Sequence, residues 1–405
     1  VAILDMAAAN EALKKFYLPA LRYQYNEQAD PLLTQLERDS EHVEGEKIVM
    51  ALRYGRSGGA GFRSDSDDLP TPNSRKTKKA EWETKNMFAR MQISDKVIEA
   101  ARTSVGAFAN LLEQEMEDLM EDAKDLLSMA VYGDGTGKIA VITAASWAAN
   151  VLTLTVGADY IRFFSEGRLY DVIDASATPD AVLANGSRLE CISVDETNNQ
   201  IKLTSTTDIS PSIEANADYL VHSGDLNMEV TGLDAVFAQS GNIYGLDRAT
   251  YPFLKAITIA INGTLGELDI QMGIDRAETR AGAETNFLIG SMGVRRSYQM
   301  VISAQKQLVN SLELKGGWSA LAYRGGKGDI PIIGAKYAPA QKLRGLDTRN
   351  WKVYEIGDWN WMEKDGAILS RVSGKPVYEA TLRKYCDLGC DKIRGQWELT
   401  GLTEV

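Results

Sequence analysis

The stretch LLSMAVYGDGTGKIA (residues 126–140) contains a glycine-rich GDGTGK of the kind that can cradle a phosphate. A phosphate-binding loop needs four residues between its first glycine and a Gly-Lys pair, followed by a Ser or Thr whose hydroxyl holds Mg²⁺. Here three residues separate Gly133 from Gly137, and Ile139 follows Lys138. Such a loop also follows a strand and opens a helix, whereas the residues before Gly133 read as a helix that is ending. Nucleotide chemistry is therefore not expected.

The remaining reactive residue types are sparse. Cys386 and Cys390 lie close in sequence, but a zinc site wants two more soft ligands, and the only histidines are His42 and His222. With Cys191 they make an odd, small set, which a reducing compartment tolerates and a disulfide-stapled secreted protein avoids. A row of acids (Glu113, Glu115, Glu117, Asp118, Glu121, Asp122, Asp125) could hide a pair for acid–base work, yet nothing in the spacing selects two of them, and a solvated helix face explains them. No nucleophile stands beside a base. The sequence predicts no catalytic residue, no cofactor and no metal.

The chain is 405 residues long and 44% hydrophobic, enough for two or three domains. Its net charge of -12 argues against a protein whose main task is to neutralise phosphates. The first residues lack the basic leader and apolar core of a signal peptide, and the absence of an initiator Met predicts trimming. Residues 139–158 carry no charge, but Thr143, Ser146, Asn150, Thr153 and Thr155 interrupt them, and VLTLTV alternates with period two. That pattern predicts a half-buried strand and no membrane span.

Residues 1–45, with a helix-like LTQLERD, read as an arm. From residue 46, Ile48, Met50, Leu52 and Tyr54 share one face of an alternating run, and Met87, Ala89, Met91 and Ile93 share one face of another. Two strands are thus expected to flank a tip at residues 55–80, GRSGGAGFRSDSDDLPTPNSRKTKKA, far longer than the two to five residues a hairpin needs. Apolar positions then step by three or four from Val97 to Ala130, behind a Ser94-Asp95 cap. They predict a helix of about 37 residues, ~55 Å long. Gly133 is expected to end it in the left-handed conformation, with Gly135 and Gly137 turning the chain onward. Residues 140–235 show short alternating runs between turn signals, predicting a small barrel or sandwich. Beyond them the chain is mixed, with helices expected at 257–263 and 294–308 and strands at NFLIG, DIPIIG, WKVYEIG and AILSRV.

This order of parts resembles the major capsid protein of tailed bacteriophages, the HK97-like fold. LLSMAVYGDGTGKIA looks like the end of that family's spine helix. DYLVHSGDLNMEVTGLDAVF with NIYGLDRATYPFLKA looks like the junction after the β insertion of one siphophage branch. NFLIGSMGVRRSYQ, LKGGWSALAYRGGKGDIPIIG and EATLRKYCDLGC look like that branch's axial domain and its return. The resemblance implies an α+β HK97-like capsid fold with an N-terminal arm (1–45), an extended E-loop hairpin (46–93), a long spine helix of the peripheral domain (94–139), an inserted β module (140–235) and a mixed axial domain with returning peripheral strands (236–405).

It further implies a structural subunit rather than an enzyme. Copies would join as hexamers and pentamers of an icosahedral shell around double-stranded DNA, held without sequence-specific binding. A separate scaffolding protein, a portal and decoration proteins are further implied partners, with assembly in the bacterial host cytoplasm and residence in the virion capsid. Phe62, Asp65, Asp67, Asp68, Arg75, Lys76, Lys78, Lys79 and Trp82 are the expected inter-subunit contacts, since aromatic and Arg anchors tend to dominate interfaces. Some family members join a loop Lys to an Asn of another subunit; Lys76, Lys78 and Lys79 could offer the amine, but no local motif marks the partner, and self-crosslinking is not expected. The alternatives are an encapsulin-like compartment around an enzyme cargo, and an enzyme or carbohydrate-binding protein built on the β module.

Overall fold

The computed structural model describes residues 30–56, 59–65, 68, 70–71, 74–95, 105–304, 311–313, 319–325, 328–363 and 368–404. At the start of the described chain, Asp30 caps the short helix Pro31–Gln35, accepting the Leu32 N–H at 2.8 Å, with Pro31 in the first-turn position that needs no donor. The helix-like LTQLERD is helical only through Gln35. Its remainder becomes the strand Glu37–Asp39, which runs parallel to Trp351–Trp361.

The alternation from residue 46 produces the strand Lys47–Arg53, with Ile48, Met50 and Leu52 buried. Its antiparallel partner is Thr77–Glu83, a lysine-rich stretch of which the sequence assigns residues 77–80 to the tip. The expected partner, Lys85–Ser94, crosses to another sheet and pairs along its whole length with Val377–Cys390, from Lys85 opposite Cys386 to Ser94 opposite Val377. The switch occurs at Thr84, whose N–H donates to the Glu46 carbonyl at 2.9 Å and closes the hairpin. The five strands Glu37–Asp39, Trp351–Trp361, Val377–Cys390, Ser370–Arg371 and Lys85–Ser94 form the sheet that faces the long helix.

That helix spans Val105–Tyr132, 28 residues and therefore about 42 Å; residues 96–104, which the sequence also assigns to it, lie outside the described residues. Met116, Met120, Ala123, Leu127 and Ala130 form its buried stripe. The acid row is only partly a solvated face, because Asp122 and Asp125 both receive Arg168, at 3.0 and 3.3 Å, and Asp125 also receives Lys336 at 2.8 Å.

Gly133 does not adopt the left-handed conformation expected of it, and its N–H donates to the Ala130 carbonyl at 3.1 Å. Another part of the chain covers the helix end. A Cβ on Gly232 would sit 2.5 Å from each of the Ala130, Val131 and Gly133 carbonyls, so only glycine lets the returning chain lie there. Gly135 and Gly137, with φ of +87° and +82°, make the turns.

Beyond them, Ala140–Ala148, Val151–Val156, Leu169–Asp174, Leu189–Asp195, Gln200–Thr204 and Tyr219–His222 close into a six-stranded barrel, not a sandwich. The ring is sealed where Leu189–Asp195 pairs with both Gln200–Thr204 and Leu169–Asp174. Ile142, Leu152, Leu154, Tyr170, Val172, Ile201, Leu203 and Leu220 fill it as a core separate from that of the body. The chain enters and leaves side by side: the Ile139 N–H donates to Leu220 and the Asn227 N–H to Thr136, both at 2.9 Å.

The rest builds a seven-stranded mixed sheet in the order Ile257–Gly263, Trp397–Leu402, Leu343–Leu346, Phe287–Gly290, Gly328–Gly334, Ser319–Gly325 and Ser311–Glu313. Residues 257–263, expected as a helix, are its edge strand: Ile257 and Ile259 point inward, Thr258 and Ala260 outward, in parallel register with Trp397–Leu402. The helix Glu267–Ala281, absent from the sequence reading, packs against it. Residues 294–308 deliver Met292–Ala304, with 305–308 outside the described residues, and AILSRV shrinks to Ser370–Arg371.

Candidate assembly surfaces

The base of the hairpin is bolted to the body by aromatics. Trp82 lies 4.2 Å from the Tyr244 ring and edge-on to Tyr354, while Tyr54 stacks on Phe253 at 4.7 Å. The Glu81 N–H donates to the Tyr244 carbonyl at 3.1 Å, and the following Gly245 has φ +75° and would put a Cβ 2.6 Å from the Glu81 carbonyl. Trp82 thus spends most of its surface inside its own chain. At the neck, the Tyr54 and Gly55 N–H groups both donate to Lys76.

Beyond that neck, none of the described residues of the excursion is buried. Phe62 is fully exposed, and Arg63, Asp65, Asp68, Arg75 and Lys76 are exposed as well; Asp67 lies outside the described residues. Lys79 is paired with Glu81 at 2.8 Å. Lys78 sits over the Tyr251 ring at 5.4 Å, and its hydrogen bond to Tyr251 raises its pKa, the opposite of what a nucleophilic amine needs.

Two of the recesses on the body lie beside exposed apolar side chains. The larger, about 890 Å³, runs beside the helix Glu267–Ala281 and carries Leu268, 84% exposed, with Arg276 and Arg280. The smaller, about 110 Å³, lies between Lys85–Ser94, the end of the long helix and the chain leaving the barrel. Phe88 and Met228, 54% and 64% exposed, flank it. Its polar groups are unusual. Glu229 has one carboxylate oxygen buried without a partner; burial, then Asp225 and Asp134, push its pKa up to about 8. Burial, then Asp171, push Asp225 up to about 6. Among the described residues, Lys85 is the one cation lining the recess, and it donates its ammonium to the Asn227 carbonyl at 3.1 Å. Nothing in the sequence marks Glu229, because its burial is created by elements remote in the chain.

The residues with reactive potential are held apart. Cys191, Cys386 and Cys390 are buried free thiols, with burial pushing Cys386 up to about 12 and Cys191 up to about 11. His222 stacks on Tyr170 inside the barrel, and burial lowers its pKa to about 4; His42 sits beside Asp39, 2.8 Å from its carboxylate. Among the described residues no group of three or more His, Cys, Asp or Glu is placed to share a metal ion, and no helix is long and apolar enough to cross a membrane.

No family model and no curated relative matches the sequence. Solved structures do match the fold. A subunit from the capsid of cyanophage A-1(L) superposes with a TM-score of 0.56 at 12% identity, covering 93% of each chain. A capsid subunit of Myoviridae phage XM1 gives 0.45 at 8% identity over 92% of this chain and 91% of that one. The SrpI encapsulin of Synechococcus elongatus PCC 7942 gives 0.44 at 10% identity over 93% and 89%. The first of these carries the fold assignment: an α+β HK97-like capsid fold, here holding a closed six-stranded barrel.

Proposed function

We propose, from the HK97-like capsid fold that this chain shares, that it is the structural subunit of an icosahedral phage shell and has no catalytic role. The observation that carries the proposal is the superposition on the cyanophage capsid subunit across 93% of both chains. Residues 1–45 serve as the arm, 46–93 as the E-loop, 94–139 as the spine, 140–235 as the insertion and 236–405 as the axial domain with returning strands. Because Lys85–Ser94 belongs to the body sheet, the free part of the E-loop ends at Glu83.

Copies join as hexamers and pentamers through the E-loop, arm and axial domain, with a separate scaffolding protein, a portal and decoration proteins as further partners. Assembly takes place in the bacterial host cytoplasm, and the product is the virion capsid. The net charge of -12 supports a wall that encloses double-stranded DNA without gripping it. Expression of the chain alone and with a candidate scaffold, followed by negative-stain microscopy, tests the reading: closed uniform particles are expected, and monomers under both conditions overturn it. Nuclease-protected DNA inside particles from infected cells separates a virion shell from an encapsulin-like compartment, whose particles would yield a protein cargo by mass spectrometry.

A further inference from the structure

The excursion and the smaller recess have complementary surfaces that cannot be explained by their own chain. Phe62 is a large aromatic with no cover, followed at once by Arg63, whose only described hydrogen bond is to the Phe62 carbonyl at 3.1 Å. The recess offers the inverse: an apolar rim of Phe88 and Met228 around the partnerless carboxylate oxygen of Glu229, with Asp225 beside it. An exposed aromatic beside a cation, and a recess lined by exposed apolar side chains and two acids, are complementary in chemical type and charge.

We propose that the Phe62-Arg63 tip of one subunit docks in the recess of a second copy, with Phe62 between Phe88 and Met228 and Arg63 facing Glu229 and Asp225. Resting on the shell reading above, this names where one copy holds the next. Tip and recess lie on different parts of the chain, so the contact is head-to-tail and propagates from copy to copy until the rotation closes a ring. It also provides what Glu229 lacks in the isolated chain, a cation at hydrogen-bonding range. The larger groove is the rival seat, since Arg276 and Arg280 would meet Asp65 and Asp68 of the same tip. Arg63 faces no acid from that lining except Asp275, which is already taken by Gln271 at 2.7 Å.

Crosslinking of assembled particles decides between them. Phe62→Cys/Met228→Cys and Phe62→Cys/Leu268→Cys subunits are assembled and treated with a short bismaleimide; the native cysteines are buried. The first variant is expected to give a denaturing-gel ladder ending at the ring size, and the second none. Particles that ladder only through Leu268→Cys, or through neither, overturn the docking while the shell reading stands; failure of the wild-type chain to form any particle overturns both. As a second readout, Arg63→Glu is expected to lower particle yield at least tenfold and Arg63→Lys to keep most of it. Equal yields from the two variants remove the Arg63–Glu229 contact from the proposal.

Discussion

Gly137 lies against the backbone carbonyl of Asp225, so that a Cβ on Gly137 would stand 2.8 Å from that oxygen. With φ at +82°, this residue both turns the chain into the barrel and lets the inbound and outbound segments touch. Gly137→Ala is expected to destabilise the isolated subunit by about 3 kcal/mol, combining backbone strain with the clash. Gly224→Ala, at φ +91° with open space around it, isolates the strain alone at about 1 kcal/mol. Urea midpoints of the two variants measure the difference, and equal midpoints would show that the close approach does not matter.

Glu229 gives the unassembled subunit a signature in pH. Its carboxyl titrates at 4.5 in an unfolded chain and at about 8 when folded. Its favourable contribution is whole below 4.5 and is lost as pH rises from there through 8, at up to about 1.4 kcal/mol per pH unit. Asp30, Asp225 and Asp387, each raised to about 6 chiefly by burial, have finished titrating by pH 7. Between pH 7 and 8, Glu229→Gln is expected to flatten the fall in urea midpoint seen in the wild type; an unchanged slope assigns the effect elsewhere.

The buried ammonium of Lys384 is held by Glu355 at 2.6 Å and Asp358 at 3.7 Å, with the Trp359 ring 5.6 Å away. Lys384→Ala leaves the Glu355 carboxylate with only the half-exposed Arg38, 3.7 Å away, and is expected to cost about 3 kcal/mol. Lys384→Met with Glu355→Leu is expected to recover most of that loss, since the desolvation penalty vanishes with the charges. Thermal unfolding of both proteins checks it, and a double variant as unstable as the single one refutes the electrostatic account.

Replacing residues 57–74 with a short Gly-Ser turn is expected to leave a normally folded subunit that forms no closed particles. Circular dichroism and negative-stain microscopy read the two halves of this expectation. The strands Lys47–Arg53 and Thr77–Glu83 and the Trp82–Tyr244 contact stay intact, so lost assembly cannot be ascribed to a lost anchor. Normal particles from this variant remove the excursion from the interface.

Patterns set by local chemistry were legible in the sequence: the alternation of Ile48, Met50 and Leu52, the stripe of the long helix, and the barrel strands with their turns. What escaped depends on distant partners. The helix Glu267–Ala281 carries Gly273 at its centre, a residue that weakens any helical prediction. In the fold, a Cβ at Gly273 would meet the Trp397 ring at 2.6 Å, so the glycine is required by a side chain over a hundred residues away. Thr77–Glu83 buries only Ala80 fully, leaving its lysines to read as loop. Of the candidate contacts, the exposed Phe62 follows from the composition of the excursion, whereas the packing of Trp82 on Tyr244 and the recess around Glu229 exist only once remote elements meet.

The pairing of Lys85–Ser94 with Val377–Cys390 also orders events during synthesis. Its two strands are separated by about three hundred residues, a contact that closes late because the intervening chain must first be made and gathered. The hairpin and the barrel are local and can form while the ribosome is still working; the sheet behind the long helix cannot. The Lys85–Ser94 wall of the recess has its sheet only when translation is nearly finished. An unfinished chain therefore lacks a completed seat for its neighbour, and the topology itself delays association until the whole subunit has been translated.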